Sequence, residues 1–148
     1  MFAILGNAFT TSNKPIFSRS YAMRKIERQL GKIVDQCLLG KYTKSFSKRL
    51  SKRDTVVYDH EGSQVTVFLW RSPIVRVDTK EKQMILDSCN YETNTTKSRL
   101  NSFHQRFAPQ VGGIIQKNWT WYRWDRCVLT GEDKLWEFNG KHEFSVNY

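Results

Sequence analysis

Four short runs, TVVYD, QVTVFLW, IVRVD and QMILD, fall between residues 55 and 87 and are rich in β-branched and aromatic side chains. Successive side chains of a strand point to opposite faces, so runs of this kind have to bury one face against a core. The turn formers His60-Glu61-Gly62-Ser63 separate the first two runs and Lys80-Glu81-Lys82 the last two, which predicts an antiparallel meander. A second β-rich region reads VGGIIQK, NWTWYRW and RCVL, followed by KLWEF and HEFSV on either side of Asn139-Gly140. Asn-Gly between two strand-like runs is the strongest short-range hairpin signal in the chain.

Helical patterns flank these strands. Ala22, Met23, Ile26, Leu30, Ile33, Val34, Cys37 and Leu38 recur at three- and four-residue steps, which predicts a helix over about residues 20–39 with Gly40 as its stop. In KYTKSFSKRLSKR, Lys41, Lys44, Lys48 and Lys52 keep helical spacing beside Tyr42, Phe46 and Leu50, giving either a second, basic amphipathic helix or an arm that orders on binding. Between the two β regions, KSRLNSFHQRF reads as a helix capped by Thr95 or Thr96 and stopped at Pro109, with Leu100, Phe103 and Phe107 as its apolar stripe. A chain of 148 residues can bury a core without staples. The fold class expected is α+β: an N-terminal basic helical segment, then an antiparallel sheet with one central helix and C-terminal hairpins. The expected division is a basic helical arm over residues 1–53 and a small α+β domain over residues 54–148.

Charge is distributed unevenly. Residues 1–53 hold twelve lysines and arginines against Glu27 and Asp35, whereas residues 54–148 hold twelve of each sign. The whole net charge of +10 therefore sits in the first third, which points to a polyanionic partner. Cys37, Cys89 and Cys127 form no Cys-x-x-Cys pair, and His60, His104 and His142 have no metal-ligand spacing, so reduced thiols and no metal or cofactor are expected. The longest apolar run at the N-terminus, MFAIL, is too short for a membrane span or a signal core, although the acid-poor residues 1–26 have a presequence-like composition. No Gly-x-x-x-x-Gly-Lys loop or nucleophile elbow is present. Asp59, Glu61, Asp78 and Asp87, near strand ends, are the carboxylates placed to converge on a metal as in nucleases, but acids at strand ends are commonplace and assign no catalytic residue.

The segments TVVYDHEG, the strand ending Leu69-Trp70, ILDSCNYETNTTKSRLNSFHQRF and IIQKNWTWY together resemble a family of small domains of unknown function encoded mainly by tailed bacteriophages. The similar features are Tyr58-Asp59 with Gly62, Ser88-Cys89, the helix start from Thr95 to Asn101, and Gln116 with Trp119, over roughly residues 54–124. The resemblance implies a phage protein acting in the host bacterial cytoplasm and brings no activity to transfer. The added Trp121, Tyr122 and Trp124 lie outside the family's pattern.

Nucleic acid, DNA or RNA, is the expected partner. Lys41, Lys44, Lys48, Arg49, Lys52 and Arg53 lie in one stretch without an acid and can meet several phosphates and release their counterions. Lys97 and Arg99 stand on an equally acid-free helix, and Arg123 and Arg126 flank the tryptophan cluster. If NWTWYRW is extended throughout, Trp119, Trp121 and Arg123 share a face and can stack on exposed bases. The bland reading of that cluster is a strand covered on both faces, by the Leu100 helix and by the apolar stripe of the N-terminal helix. The expected function is a non-enzymatic phage protein that grips the phosphate backbone. The alternative is an inhibitor or modifier of a host machine, such as RNA polymerase or a defence complex, whose acidic groove takes the same basic segment.

Overall fold

The meander forms as expected. In a computed structural model, which describes residues 23–108, 112–126 and 129–146, the strands β2 (Asp54–Asp59), β3 (Gln64–Leu69), β4 (Ser72–Asp78) and β5 (Gln83–Asp87) pair antiparallel in sequence order. Their alternation puts Val56, Tyr58, Val65, Val67, Leu69, Val77, Met84 and Leu86 in the core. A bulge where β3 passes from Val67 to Phe68 shifts the register, so that Ile74 and Val75 are buried consecutively.

Two strands extend this sheet at its edges, β1 (Phe46–Arg49) beside β2 and β9 (Lys141–Ser145) beside β5. A smaller sheet is made of β6 (Gly113–Lys117), β7 (Thr120–Arg126) and β8 (Asp133–Glu137). The helix α1 (Lys25–Leu38) lays Leu30, Ile33, Val34, Cys37 and Leu38 into the core and contacts β2 and β3. The second helix, α2 (Asn94–Phe107), touches α1, β4 and β6 and so bridges the two sheets. Leu100, Phe103 and Phe107 are buried as its stripe predicts, but the cap is Thr93, whose hydroxyl accepts from the Thr96 amide at 3.1 Å.

Four expectations are corrected. Residues 41–53 form no helix: Phe46 to Arg49 are the strand β1, registered opposite Tyr58 to Thr55. Serines and threonines at positions 43, 45, 47 and 51 are weak helix formers, and pairing with β2 seats Phe46 against Tyr58 at 5.6 Å and against Tyr42 at 4.7 Å. Since α1 and β1 are built into the core of the meander, neither stands apart from the residues after 53. The Asn139-Gly140 turn closes no hairpin, because β8 completes the small sheet on β7 whereas β9 completes the large sheet on β5. Gly140, with φ of +93°, makes the passage between sheets, and its carbonyl accepts from the Ser88 amide at 2.8 Å. Finally, the α1 stripe covers the large sheet and not the tryptophan strand β7. Residues 1–22, including the expected helix start near Ser20, and Cys127 and Val128 of RCVL lie outside the described residues.

Candidate nucleic-acid interface

The edge strand β1 exposes Ser47, Lys48 and Arg49 before residues 50–53 turn back into β2. That turn is held by Ser51, whose hydroxyl donates to Asp54 Oδ2 at 2.7 Å and accepts from the amides of Arg53 and Asp54, both at 3.1 Å. Arg49 folds over it, with Nε donating to the Ser51 carbonyl at 3.1 Å and Nη2 to the Lys52 carbonyl at 3.0 Å. Asp54 pairs with Leu69, so the turn joining β3 to β4 lies beside the turn joining β1 to β2. A hydrogen bond joins the two turns directly, from the Trp70 amide to the Arg53 carbonyl at 2.6 Å. Exposed at this end of the sheet are Lys52, Arg53, Arg71 and the indole of Trp70, which is 54% exposed. The acids Asp59, Glu61, Asp78 and Glu81 occupy the turns at the opposite end.

Beneath the basic end lies a buried ionic network. Arg99 donates from Nε and Nη2 to the two oxygens of Asp54 at 2.8 and 3.2 Å, and from Nη1 to Glu27 Oε2 at 3.0 Å. Ser98 donates to the same Glu27 oxygen at 2.5 Å, and Glu27 Oε1 accepts from the Arg24 amide at 2.9 Å at the start of α1. Burial works against the guanidinium charge, but the hydrogen bonds and charges of Asp54 and Glu27 outweigh it and raise its pKa. The network ties α1, α2 and β2 together and consumes Asp54, which would otherwise sit as an acid among the cations of the turn. The first turns of α1, above this network, carry Lys25, Arg28 and Lys32 on one exposed face.

The expected contact residues are therefore sorted. Lys48, Arg49, Lys52 and Arg53 come together at the turn and its strand, and Lys41 and Lys44 are exposed on the segment leading into β1. Arg99 is corrected from a contact residue to an interior strut, 1% exposed. Trp121 is corrected likewise, 3% exposed and packed on Phe138 with ring centroids 6.1 Å apart. Trp119 does not share its face: Asn118 and Trp119, with φ of +52° and +67°, form the β6–β7 turn, and Trp119 stands out into solvent. Lys97 donates to Gln116 Oε1 at 3.2 Å, and partial burial lowers its pKa. Arg123 lies over the Trp136 ring at 4.4 Å and 3.8 Å from Asp125. Arg126 ends β7, and its side chain lies outside the described residues.

The strand-end acids do not converge. Asp78 accepts from the amides of Lys80 and Glu81 and Asp59 from Gly62, all within their own turns, whereas Asp87 pairs with Arg76 at 3.1 Å at the other end of the sheet. Among the described residues no three His, Cys, Asp or Glu side chains gather as a metal-binding group, and no helix is long and apolar enough to cross a membrane. Cys37 and Cys89 are free thiols, the former pushed up to about 12 by burial.

The family model for the Kyanoviridae Gp96 protein matches residues 23–144, which spans both helices, both sheets and the basic end. The chain belongs to this bacteriophage family. No curated protein and no solved structure matched. In this Gp96 family member, the matched region begins with α1 and β1, ahead of the segments that carried the sequence resemblance. Two groups at the basic end, Trp70 and Arg71, escape a reading of the sequence. Trp70 looks like the last apolar residue of QVTVFLW, and no glycine or asparagine marks the turn that follows Leu69.

Proposed function

We propose that this phage protein binds nucleic acid, gripping the phosphate backbone with Lys48, Arg49, Lys52, Arg53 and Arg71 and taking no part in catalysis. The observation that carries this reading is the removal of the local acid: Arg99 draws Asp54 inward, so the charged groups that the two adjacent turns expose are all cations. Field lines from such a patch favour a polyanion, and phosphates that replace condensed counterions supply affinity with little sequence preference. The exposed cations of α1 extend the same charge. The place of action is the host cytoplasm, where replicating phage nucleic acid is found.

The test is titration of the full-length protein against labelled DNA and RNA, single-stranded and duplex, at several salt concentrations. Binding should weaken steeply with salt, and the Lys52→Ala, Arg53→Ala double variant should bind less tightly with a salt slope reduced by about 2, roughly one per lost phosphate contact. Absence of binding at moderate salt would overturn the reading. Stoichiometric co-purification with one host protein after nuclease treatment would then favour an acidic protein groove as the target.

A further inference from the structure

We infer that the nucleic acid bound at the basic end is single-stranded, with one base stacked on Trp70 and its flanking phosphates on Lys52, Arg53 and Arg71. The inference rests on the nucleic-acid reading above and names its substrate class. Trp70 is the first residue of the β3–β4 turn and has a φ of +58°, a left-handed conformation that a bulky side chain rarely adopts and glycine takes freely. Turn geometry alone therefore argues against tryptophan there. Burial does not explain it either, since more than half of the side chain is open to water. The ring and cation–π contacts leave Trp70 out, so among the described residues its indole faces are not taken up by another ring or a guanidinium.

The backbone beneath that ring is nevertheless fixed, by the 2.6 Å hydrogen bond to Arg53, and Arg71 follows it in sequence while Lys52 and Arg53 stand on the adjoining turn. A flat aromatic surface held among cations matches the chemistry of an unpaired nucleotide, which offers a π face and a phosphate together. Bases inside a duplex already stack on their neighbours and cannot reach a ring on a projecting turn. Trp119 is more exposed, and like Trp70 it has one cation within two residues, Lys117. Among the described residues, however, no hydrogen bond ties its turn to a second basic turn as Trp70 is tied to Arg53, and the Lys97 ammonium is directed to Gln116.

The deciding experiment uses the full-length protein with Trp70→Gly, which suits the φ of the turn, and Trp70→Phe, which keeps a ring. Each is titrated with oligothymidylate, oligouridylate and a duplex of equal length in low salt, after a thermal melt has verified folding. Wild type should prefer the single strands. Trp70→Gly should weaken single-strand binding about 5- to 150-fold, the loss expected of one stacked base, and leave duplex affinity within about twofold. Trp70→Phe should fall between wild type and the glycine variant, and it decides the question alone if the glycine variant does not fold. Equal losses on single strand and duplex, or no loss on either, would overturn the stacking role while leaving the backbone reading intact. Failure of the wild type to bind any of the three probes would overturn both.

Discussion

Arg99 serves two carboxylates at once, and the energetics of that arrangement are asymmetric. A buried ion pair is weak evidence of net stabilisation, because desolvation offsets much of the Coulomb attraction, but removing one partner strands the others. Arg99→Leu would leave Glu27 and Asp54 facing each other in the interior with like charge. A loss of about 3–5 kcal/mol is expected, read by denaturant titration, and a loss below about 1 kcal/mol would show that water reaches the site. A second buried polar group lacks such partners among the described residues: His104 stacks on His142 with centroids 5.3 Å apart, and there neither His104 ring nitrogen nor His142 Nε2 makes a hydrogen bond. Burial holds both imidazoles down to about 4, from an ordinary value of 6.5. Between those values the unfolded chain binds protons that the folded chain refuses. The pair's contribution is thus present in full above pH 6.5 and is lost as pH falls toward 4. His104→Phe should preserve stability at pH 7 and flatten the decline between pH 6.5 and 4 in thermal melts, and an acid slope equal to that of wild type would exclude the pair as its source.

Among the elements, the small sheet depends on a single glycine. Gly112 has a φ of +118°, and a Cβ there would sit 1.9 Å from the Trp124 carbonyl oxygen, so no side chain fits without parting β6 from β7. The next residues are fastened to α2 by Asn101, whose side chain accepts from the Ile114 amide at 2.8 Å and donates to the Ile114 carbonyl at 2.7 Å. Gly112→Ala is expected to destabilise the protein by more than about 2 kcal/mol, with amide exchange accelerating first across β6 and β7. Exchange that accelerates in β2 and β3 equally would mean that the two sheets unfold as one unit. The same elements show what the sequence could reveal. The meander was legible because β-branched and aromatic residues alternate through Val56, Tyr58, Val65 and Val67, and the stripe Leu100, Phe103, Phe107 had one reading. The basic segment was not, because Tyr42, Phe46 and Leu50 fit a helix as well as a strand, and only pairing with β2 decides between them. Asn139-Gly140 misled for a related reason: a turn dipeptide reports local backbone and not which sheet the next strand completes. At the candidate site Lys48, Arg49, Lys52 and Arg53 were legible from charge counting, whereas Arg71 was not, because only the pairing of β2 with β3 brings its turn beside theirs. Arg99 was not separable from them, since its partners lie 45 and 72 residues away in sequence.

On the scale of the whole molecule, charge and core are not divided between separate parts. The first third of the chain holds the entire net charge, yet it also supplies Leu30, Ile33, Val34, Cys37 and Leu38 to the core, Glu27 to Arg99, and β1 to the edge of the large sheet. Deleting residues 1–53 therefore removes much more than a basic patch. It exposes the apolar face of β2 and β3 that α1 covers, leaves Arg99 with Asp54 alone, and turns β2 into a bare edge open to aggregation. A fragment of residues 54–148 is expected to be insoluble or to lack a cooperative thermal transition, so loss of nucleic-acid binding in it would report unfolding. Should that fragment instead melt cooperatively near the full-length midpoint, α1 and β1 would be dispensable to the fold, and truncation would become a direct test of where the phosphates bind.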